Sequence, residues 1–454
     1  MKLPYAHVEF TKSGVVRNPA QLNAALAMLD QVGATDVLVL AHGWNNDIAA
    51  AERLFNTLSD QVAARVPAGS PVTLAVIGVL WPSVRWADAD QIAGGGVAIG
   101  DDESELALAI EQSVDDPALA AQLTALTGRL DTGEGRAEFL ALARDLLPPA
   151  GSVPTADEDP LPAALRSGEP DEVFDAVRIA AADTGDEPLV GSPGSGAGSA
   201  SGVAGAPGVP PDLLGGPAGA GGGAPGVAPD LLAGEGVAGA GLFGMSWPAL
   251  GRQVLNTMTY YTMKSRAGDV GAKGVAPMVD RINAAAPQRR VHLAGHSFGA
   301  RVVSSAAAAI TTPIESLTLL QGAFSHYGFT SDFAGTGRNG AFVAALSNGR
   351  IHGPVVITHT QNDRAVGLAY AIASRLAGQA GAAVGDKSDL YGGIGANGSL
   401  GTGAIEWVLG DVSTDYDFQP GSVYNLLADA TIASHSDVTN PAVANALAHA
   451  IGVR

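Results

Sequence analysis

The sequence predicts an α/β protein, with a doubly wound, mostly parallel sheet. Three observations lead there. Short and nearly unbroken apolar runs, typical of strands buried on both faces, recur along the chain. Helix-forming stretches separate them at spacings that make βαβ units. The pattern occupies both ends of the 454 residues and stops in between. The expected organisation is therefore one core in two parts, residues 1–84 and 245–454, divided by an insertion over 85–244.

The first strand is TDVLVLAHGW, Thr35 to Trp44. Asp47 is placed to cap the next segment, in which Ile48, Phe55, Leu58 and Val62 recur at helical spacing. PVTLAVIGVLWPS, Pro71 to Ser83, is a second buried strand and completes a βαβ unit. Beyond residue 245, WPALGRQVLNTMTYYTMKSRAG reads as a helix and PMVDRINAAAP as a shorter one. The strand RRVHLAGHS then runs into the helix GARVVSSAAAAI. SLTLLQGAFS, GPVVITHTQND and SVYNLLADATI supply three more strands, with the helix RAVGLAYAIASRLAG between the last two. PAVANALAHAIG forms a C-terminal helical run.

The insertion differs in composition. Its first part, to about residue 150, is acidic and rich in Ala and Leu, which predicts two or three amphipathic helices over 101–147. The remainder is expected to be a low-complexity linker, above all GSPGSGAGSASGVAGAPG and its Gly/Ala/Pro-rich continuation to Gly241. Such sequence buries too little apolar surface to offset its ordering entropy. GVPPDLLGG and GVAPDLLAG repeat within it, but two copies fall short of a repeat architecture.

A formal net charge of −20 argues against nucleic acid as a partner. The absence of cysteine removes disulfides and thiolate metal sites. The N-terminus has no apolar run of the secretory kind, and no stretch approaches the ~20 residues of a membrane helix. A soluble, cytoplasmic protein without a transmembrane segment is expected. Oligomeric state is not encoded in any of these features.

HLAGHSFGARVVS, His292 to Ser304, sets Ser297 between two glycines, after a strand and before a helix. In a chain with 60 glycines that pattern alone is a weak signal, and Ser297 could simply cap the helix. Acyl transfer demands more. A histidine must take the serine proton, a carboxylate must orient the imidazole, and two N–H groups must face the developing oxyanion. The expected chain order is Ser, acid, His, each just beyond a strand. Asp363 follows PVVITHTQN, and Asp332, in the loop after LTLLQGAFS, is the competing acid. Asp429 falls within the last strand reading and is less well placed. His435 lies just beyond that strand. His326, His352 and His359 all precede Asp363, and His449 belongs to the terminal helical run. His292 and His296 are too close to the serine to reach its hydroxyl, and His296 packs under the turn instead. Phe298 should offer one oxyanion N–H, and Trp44 or Asn45 the other, from AHGWNND, where His42 braces the loop.

HGW at His42 to Trp44, GHSFG at Gly295 to Gly299, ND at Asn362 to Asp363 and SHSD at Ser434 to Asp437 together resemble the α/β-hydrolase fold serine esterases and lipases. The resemblance covers roughly 1–84 and 245–454. It implies Ser297 as nucleophile, His435 as base, Asp363 as acid, and Trp44 and Phe298 as oxyanion donors, with no cofactor and no metal. A small-molecule or polymeric apolar ester is the substrate it implies. Polyester depolymerases and thioesterases share this machinery. A hydrolase-fold interaction protein presenting the acidic insertion is the reading from another class. Asn45, Trp81 and Phe324 are expected to line the substrate site, near Trp86. The helix bearing Trp247, Tyr260 and Tyr261 would form a wall or lid, and YGGIGANGSLGTGAIEW a mobile glycine-rich rim.

Overall fold

The computed structural model describes residues 2–44, 46–83, 101–148, 161–184, 245–363 and 390–453, with residues 366, 370, 372, 373, 376 and 387 between the last two spans. Eight strands form one sheet: β1 (Tyr5–Glu9), β2 (Asp36–Ala41), β3 (Leu74–Leu80), β4 (Arg290–His296), β5 (Ser316–Leu320), β6 (Val355–His359), β7 (Ile405–Val408) and β8 (Val423–Leu427). Their order is β1-β3-β2-β4-β5-β6-β8-β7, and every neighbouring pair is parallel. The architecture is α/β.

Alternation along the central strands explains why those strands read as unbroken apolar runs. Val37, Val39 and Ala41 of β2 join one core, while Leu38 and Leu40 join another on the opposite face. Helix α1 (Pro19–Gln31) contributes Leu22 and Leu29 to the first core. Helix α2 (Ile48–Ala63), capped by Asp47, contributes Phe55, Leu58 and Val62 to the second. Ile48, expected on that apolar stripe, is instead exposed, because as the first helical residue it projects past the end of the packed face.

Five helices precede the second half of the sheet: α3 (Asp102–Ser113), α4 (Pro117–Thr124), α5 (Gly133–Ala143), α6 (Ala163–Ser167) and α7 (Pro170–Thr184). The helical part of the insertion therefore does not end near residue 150. In α7, Val173, Phe174, Val177 and Ala180 form a buried stripe at helical spacing. Of these, α3, α5 and α7 pack against α8 (Trp247–Val270), whose Met258 and Met263 are buried along with Tyr260 and Tyr261. Buried residues, Gln253, Asn256 and Lys264 among them, lie around most of the circumference of α8, so it is covered on more than one side. The sheet side is provided by α10 (Phe298–Ala309), and the insertion provides the other. Between α8 and α10 in the chain, a short π-helical turn at Gly271–Val275 leads into α9 (Ala276–Ala285).

β1 and β7 are strands that the apolar-run criterion passes over. Both are edge strands, β1 mostly half-exposed and β7 mostly exposed, so polar residues interrupt YAHVE and IEWV. YGGIGANGSLGTGAIEW is accordingly not one loop. It holds the short helix Ile394–Asn397 and ends in β7. Residues 185–244, with the low-complexity segment, lie outside the described residues. Of RAVGLAYAIASRLAG, only residues 366, 370, 372, 373 and 376 are described, all of them helical. No helix among the described residues is long and apolar enough to cross a membrane.

Candidate active site

β4 stops at His296 and α10 begins at Phe298, leaving a single residue to make the turn. Ser297 makes it with φ 57° and ψ −123°, a conformation costing on the order of 1–3 kcal/mol for a residue with a Cβ. Neighbouring backbone holds the residue there. Ser297 N–H donates to Leu320 O at 3.0 Å, and Ser297 O accepts from Ala300 and Ala323 N–H at 3.0 and 3.1 Å. The following turn admits only glycine at 299, where a Cβ would stand 2.2 Å from Ala41 O. Although Ser297 sits at the N-cap position, its hydroxyl makes no capping bond.

The hydroxyl points elsewhere. Ser297 Oγ–H donates to His435 Nε2 at 2.9 Å, and His435 Nδ1–H donates to Asp363 Oδ2 at 2.9 Å. With the hydroxyl donating, the two bonds correspond to the Nδ1–H tautomer of His435. Asp363 is almost wholly buried and divides its oxygens, with Oδ1 accepting the N–H of Val366 at 3.1 Å. Helix capping and imidazole orientation thus coexist on one carboxylate. His435 keeps a side-chain exposure of 16%, so the arrangement is reachable from solvent.

Asp332, Asp429, His326, His352, His359 and His449 stand apart from this chain. Asp332, left-handed at φ 45°, uses its carboxylate within its own loop, accepting Gly337 N–H at 2.6 Å. Asp429 is not in the last strand but in the turn after it, where Oδ1 accepts from Thr360 Oγ1 and Gln361 N–H at 2.8 and 2.9 Å. His352 faces Glu315, His359 lies 3.9 Å from Glu406, His326 meets Asn397, and His449 packs against Tyr416.

Gly43 brings the HGW loop against the serine: a Cβ there would lie 2.8 Å from Ser297 Cβ and 3.3 Å from its Oγ. Beside that contact are the N–H groups of Trp44 and Phe298. Phe298 opens α10, so its N–H has no intrahelical acceptor. Among the described residues, neither N–H has a hydrogen-bond partner. The N-terminus of α10 adds positive partial charge at the same place.

His42 braces this loop. Its Nε2 accepts Trp81 N–H at 3.3 Å, and its Nδ1–H donates to Gly43 O at 2.9 Å. Burial lowers its pKa to about 4, so the ring is neutral. His296 is lowered to about 3 by burial, reinforced by the nearby His435, and its Nε2–H donates to His435 O at 2.9 Å.

Two expected substrate-lining residues belong to the core instead. Trp81 is fully buried, stacked on His42 with Nε1–H donating to His42 O at 2.8 Å. Phe324 is fully buried against Phe329 and Phe342. Position just past a strand does not say which way a side chain turns, and both turn inward. Asn45 and Trp86 lie outside the described residues. The aromatic wall nearest the serine is Trp44, half-buried and edge-on to Phe298 at 5.8 Å, with Tyr260 behind Phe298 at 5.2 Å. Tyr260 in turn meets Tyr370 through their hydroxyls at 3.1 Å. Among the described residues, no group of three or more His, Asp or Glu is arranged to hold a metal ion.

Comparison with known proteins finds no matching family model, no similar curated protein and no similar solved structure.

Proposed function

We propose that the chain is a serine carboxylic ester hydrolase on an α/β-hydrolase fold, acting on an apolar acyl or aryl ester through an acyl-enzyme. One observation carries the reading: Ser297 occupies a helix N-cap position in a strained turn, yet its hydroxyl bonds to His435 and not to the helix. A capping serine has no use for that strain. The chain order Ser297, Asp363, His435, each beyond a strand of a parallel sheet, supports the fold assignment.

In the proposed reaction Ser297 Oγ attacks the ester carbonyl carbon as His435 Nε2 takes its proton. The oxyanion of the tetrahedral intermediate accepts hydrogen bonds from the N–H groups of Trp44 and Phe298. Collapse breaks the bond to the alkoxy group, which leaves with the proton from His435, and an acyl-Ser297 ester remains. Water then attacks that ester while His435 takes a proton from it. Collapse returns the proton to Ser297 Oγ and releases the carboxylic acid. Throughout, Asp363 keeps the imidazole oriented and stabilises its cationic form. Trp44, half-buried next to Gly43, favours an apolar group beside the serine.

Hydrolysis of short-chain nitrophenyl esters tests the reading. Ser297→Ala should lower turnover by ~10⁴-fold or more while leaving the circular-dichroism spectrum unchanged. Undiminished turnover in that variant would place the chemistry elsewhere.

A further inference from the structure

We propose that His296 and Asn362, each the residue immediately before a member of the Ser297–His435–Asp363 chain, are positioning residues that clamp the backbone of the loop carrying His435. The proposal rests on the ester-hydrolase reading.

The loop after β8 presents a structural problem. His435 lies in irregular chain among Ala433, Ser434 and Ser436, all exposed, and the loop's buried anchors, Ile432 and Val438, stand three residues to either side. A general base nevertheless has to be held to about half an ångström to keep both hydrogen bonds. Some restraint comes from within the loop, where Ala433 N–H donates to Asp437 Oδ2 and Asn440 Nδ2 donates to the carbonyls of Thr431 and Asp437. These bonds shape the loop but do not fix it relative to the serine and the carboxylate.

His296 and Asn362 supply the missing ties. His296 Nε2–H donates to the carbonyl of His435 itself at 2.9 Å. Asn362 Nδ2 donates to Ile432 O at 2.8 Å and Asp429 O at 3.0 Å. Asp429 answers from the loop, accepting from Thr360 Oγ1 and Gln361 N–H. Each partner loop thus holds the base twice. The serine turn binds the imidazole through Ser297 and the backbone through His296, while the acid loop binds the imidazole through Asp363 and the backbone through Asn362. Since the paired residues are adjacent in sequence, a shift of either loop carries the imidazole partner and the backbone restraint together. His296 is suited to the task because its ring stays neutral when buried, and its single proton is committed to the His435 carbonyl.

The test compares wild type, His296→Leu, His296→Gln and Asn362→Leu in full-length protein, using a nitrophenyl ester. Misplacement of a reacting group by about an ångström can cost ~10²-fold in rate. His296→Leu and Asn362→Leu should therefore lower kcat about 10- to 100-fold, with KM within about threefold of wild type. A glutamine amide places an N–H donor near the position of imidazole Nε2, so His296→Gln should recover most of kcat. A second readout needs no turnover: the downfield proton resonance of His435 Nδ1–H, identified by its loss in His435→Ala, should broaden or shift in the two leucine variants. Wild-type turnover with undiminished kcat in both leucine variants would overturn the clamp and leave the ester-hydrolase reading standing. So would a His296→Gln variant as slow as His296→Leu. If the wild type hydrolyses no ester, that reading fails, and an unmoved His435 resonance in Asn362→Leu and His296→Gln, where His296→Leu does not fold, or in both leucine variants, would overturn the clamp independently.

Discussion

Two Ser–His–Asp chains lie on this sheet, one at each end of β4. Near its start, Ser316 Oγ–H donates to His292 Nδ1 at 2.9 Å, and His292 Nε2–H donates to Asp36 Oδ1 at 3.2 Å. Just past its end, Ser297, His435 and Asp363 make the same sequence of bonds through the opposite ring nitrogens. Residue types agree and distances nearly do. The surroundings do not. Ser316 is a fully buried residue of β5, with its backbone in the strand ladder. Asp36 is also bound by Arg290 and Thr35. Burial pushes its carboxyl upward, but the bonds from His292, Thr35 and Arg290 outweigh that and hold it below the usual carboxylate range. This chain ties β2, β4 and β5 together. Ser297 instead lies just past the end of its strand in a positive-φ turn, with Gly43 making room and, among the described residues, two N–H groups without partners beside it. Three residue types in line do not define a reactive site; the backbone that presents them does.

The largest expected contrast is between the two carboxylates. Asp363→Asn should favour the wrong imidazole tautomer and lower ester kcat by ~10⁴-fold. Asp36→Asn should leave kcat of the folded protein nearly unchanged. It should lower stability by on the order of 2 kcal/mol, because His292 and Arg290 lose a charged acceptor. Chemical denaturation and nitrophenyl ester kinetics on both variants check the pair, and a slow but stable Asp36→Asn enzyme would erase the distinction.

Acid should separate the two ends by a smaller margin. His42 and His296 have native pKa values of about 4 and about 3, below the 6.5 of an unperturbed histidine. The unfolded chain therefore binds more protons than the native one across that interval, so their contribution to stability is complete above pH 6.5 and falls as pH drops towards 4. His359, also lowered by burial, acts in the same direction. Asp36, with its pKa depressed below 3.8, contributes stability that is lost only at still lower pH. Stability measured between pH 6.5 and 4 should show uptake of about two to three protons on unfolding, and His296→Gln should remove about one of them. An unchanged slope in that variant would mean that His296 is not held neutral.

Much of this could be read in advance from one physical regularity, and what could not follows from its limits. A strand buried on both faces writes an unbroken apolar run, so β2 to β6 and β8 are visible in the sequence, and Ser297, Asp363 and His435, which the structure brings into hydrogen-bond contact, each lie just beyond such a run. Edge strands write no such run, which hid β1 and β7. Helix α7 reads as linker because its four buried residues sit among Asp, Glu and Ala. Side-chain direction after a strand is a tertiary property, so the sequence does not distinguish a pocket position from a core one at Trp81 and Phe324, and both are core. The bonds of His296 and Asn362 to the His435 loop span 139 and 70 residues, and no local pattern announces them.

The smallest effect is expected where neither chain is touched. Replacing 190–240 by a short Gly/Ser bridge should change stability and ester turnover little, since loop-closure cost grows slowly with length. Deleting all of 85–244 should do much more, because it strips α3 to α7 from α8 and exposes Leu250 and Val254. Thermal melts of the two deletions decide this, and equal loss of folding would show the glycine-rich stretch to be structural.

Fluorophosphonate labelling followed by peptide mapping tests the central claim most directly, because the reagent reacts only with a serine whose surroundings activate it. The account predicts one adduct, on Ser297, absent from Ser297→Ala and unaffected in Ser316→Ala. An adduct on Ser316 or another serine, or no adduct on folded protein, would contradict it.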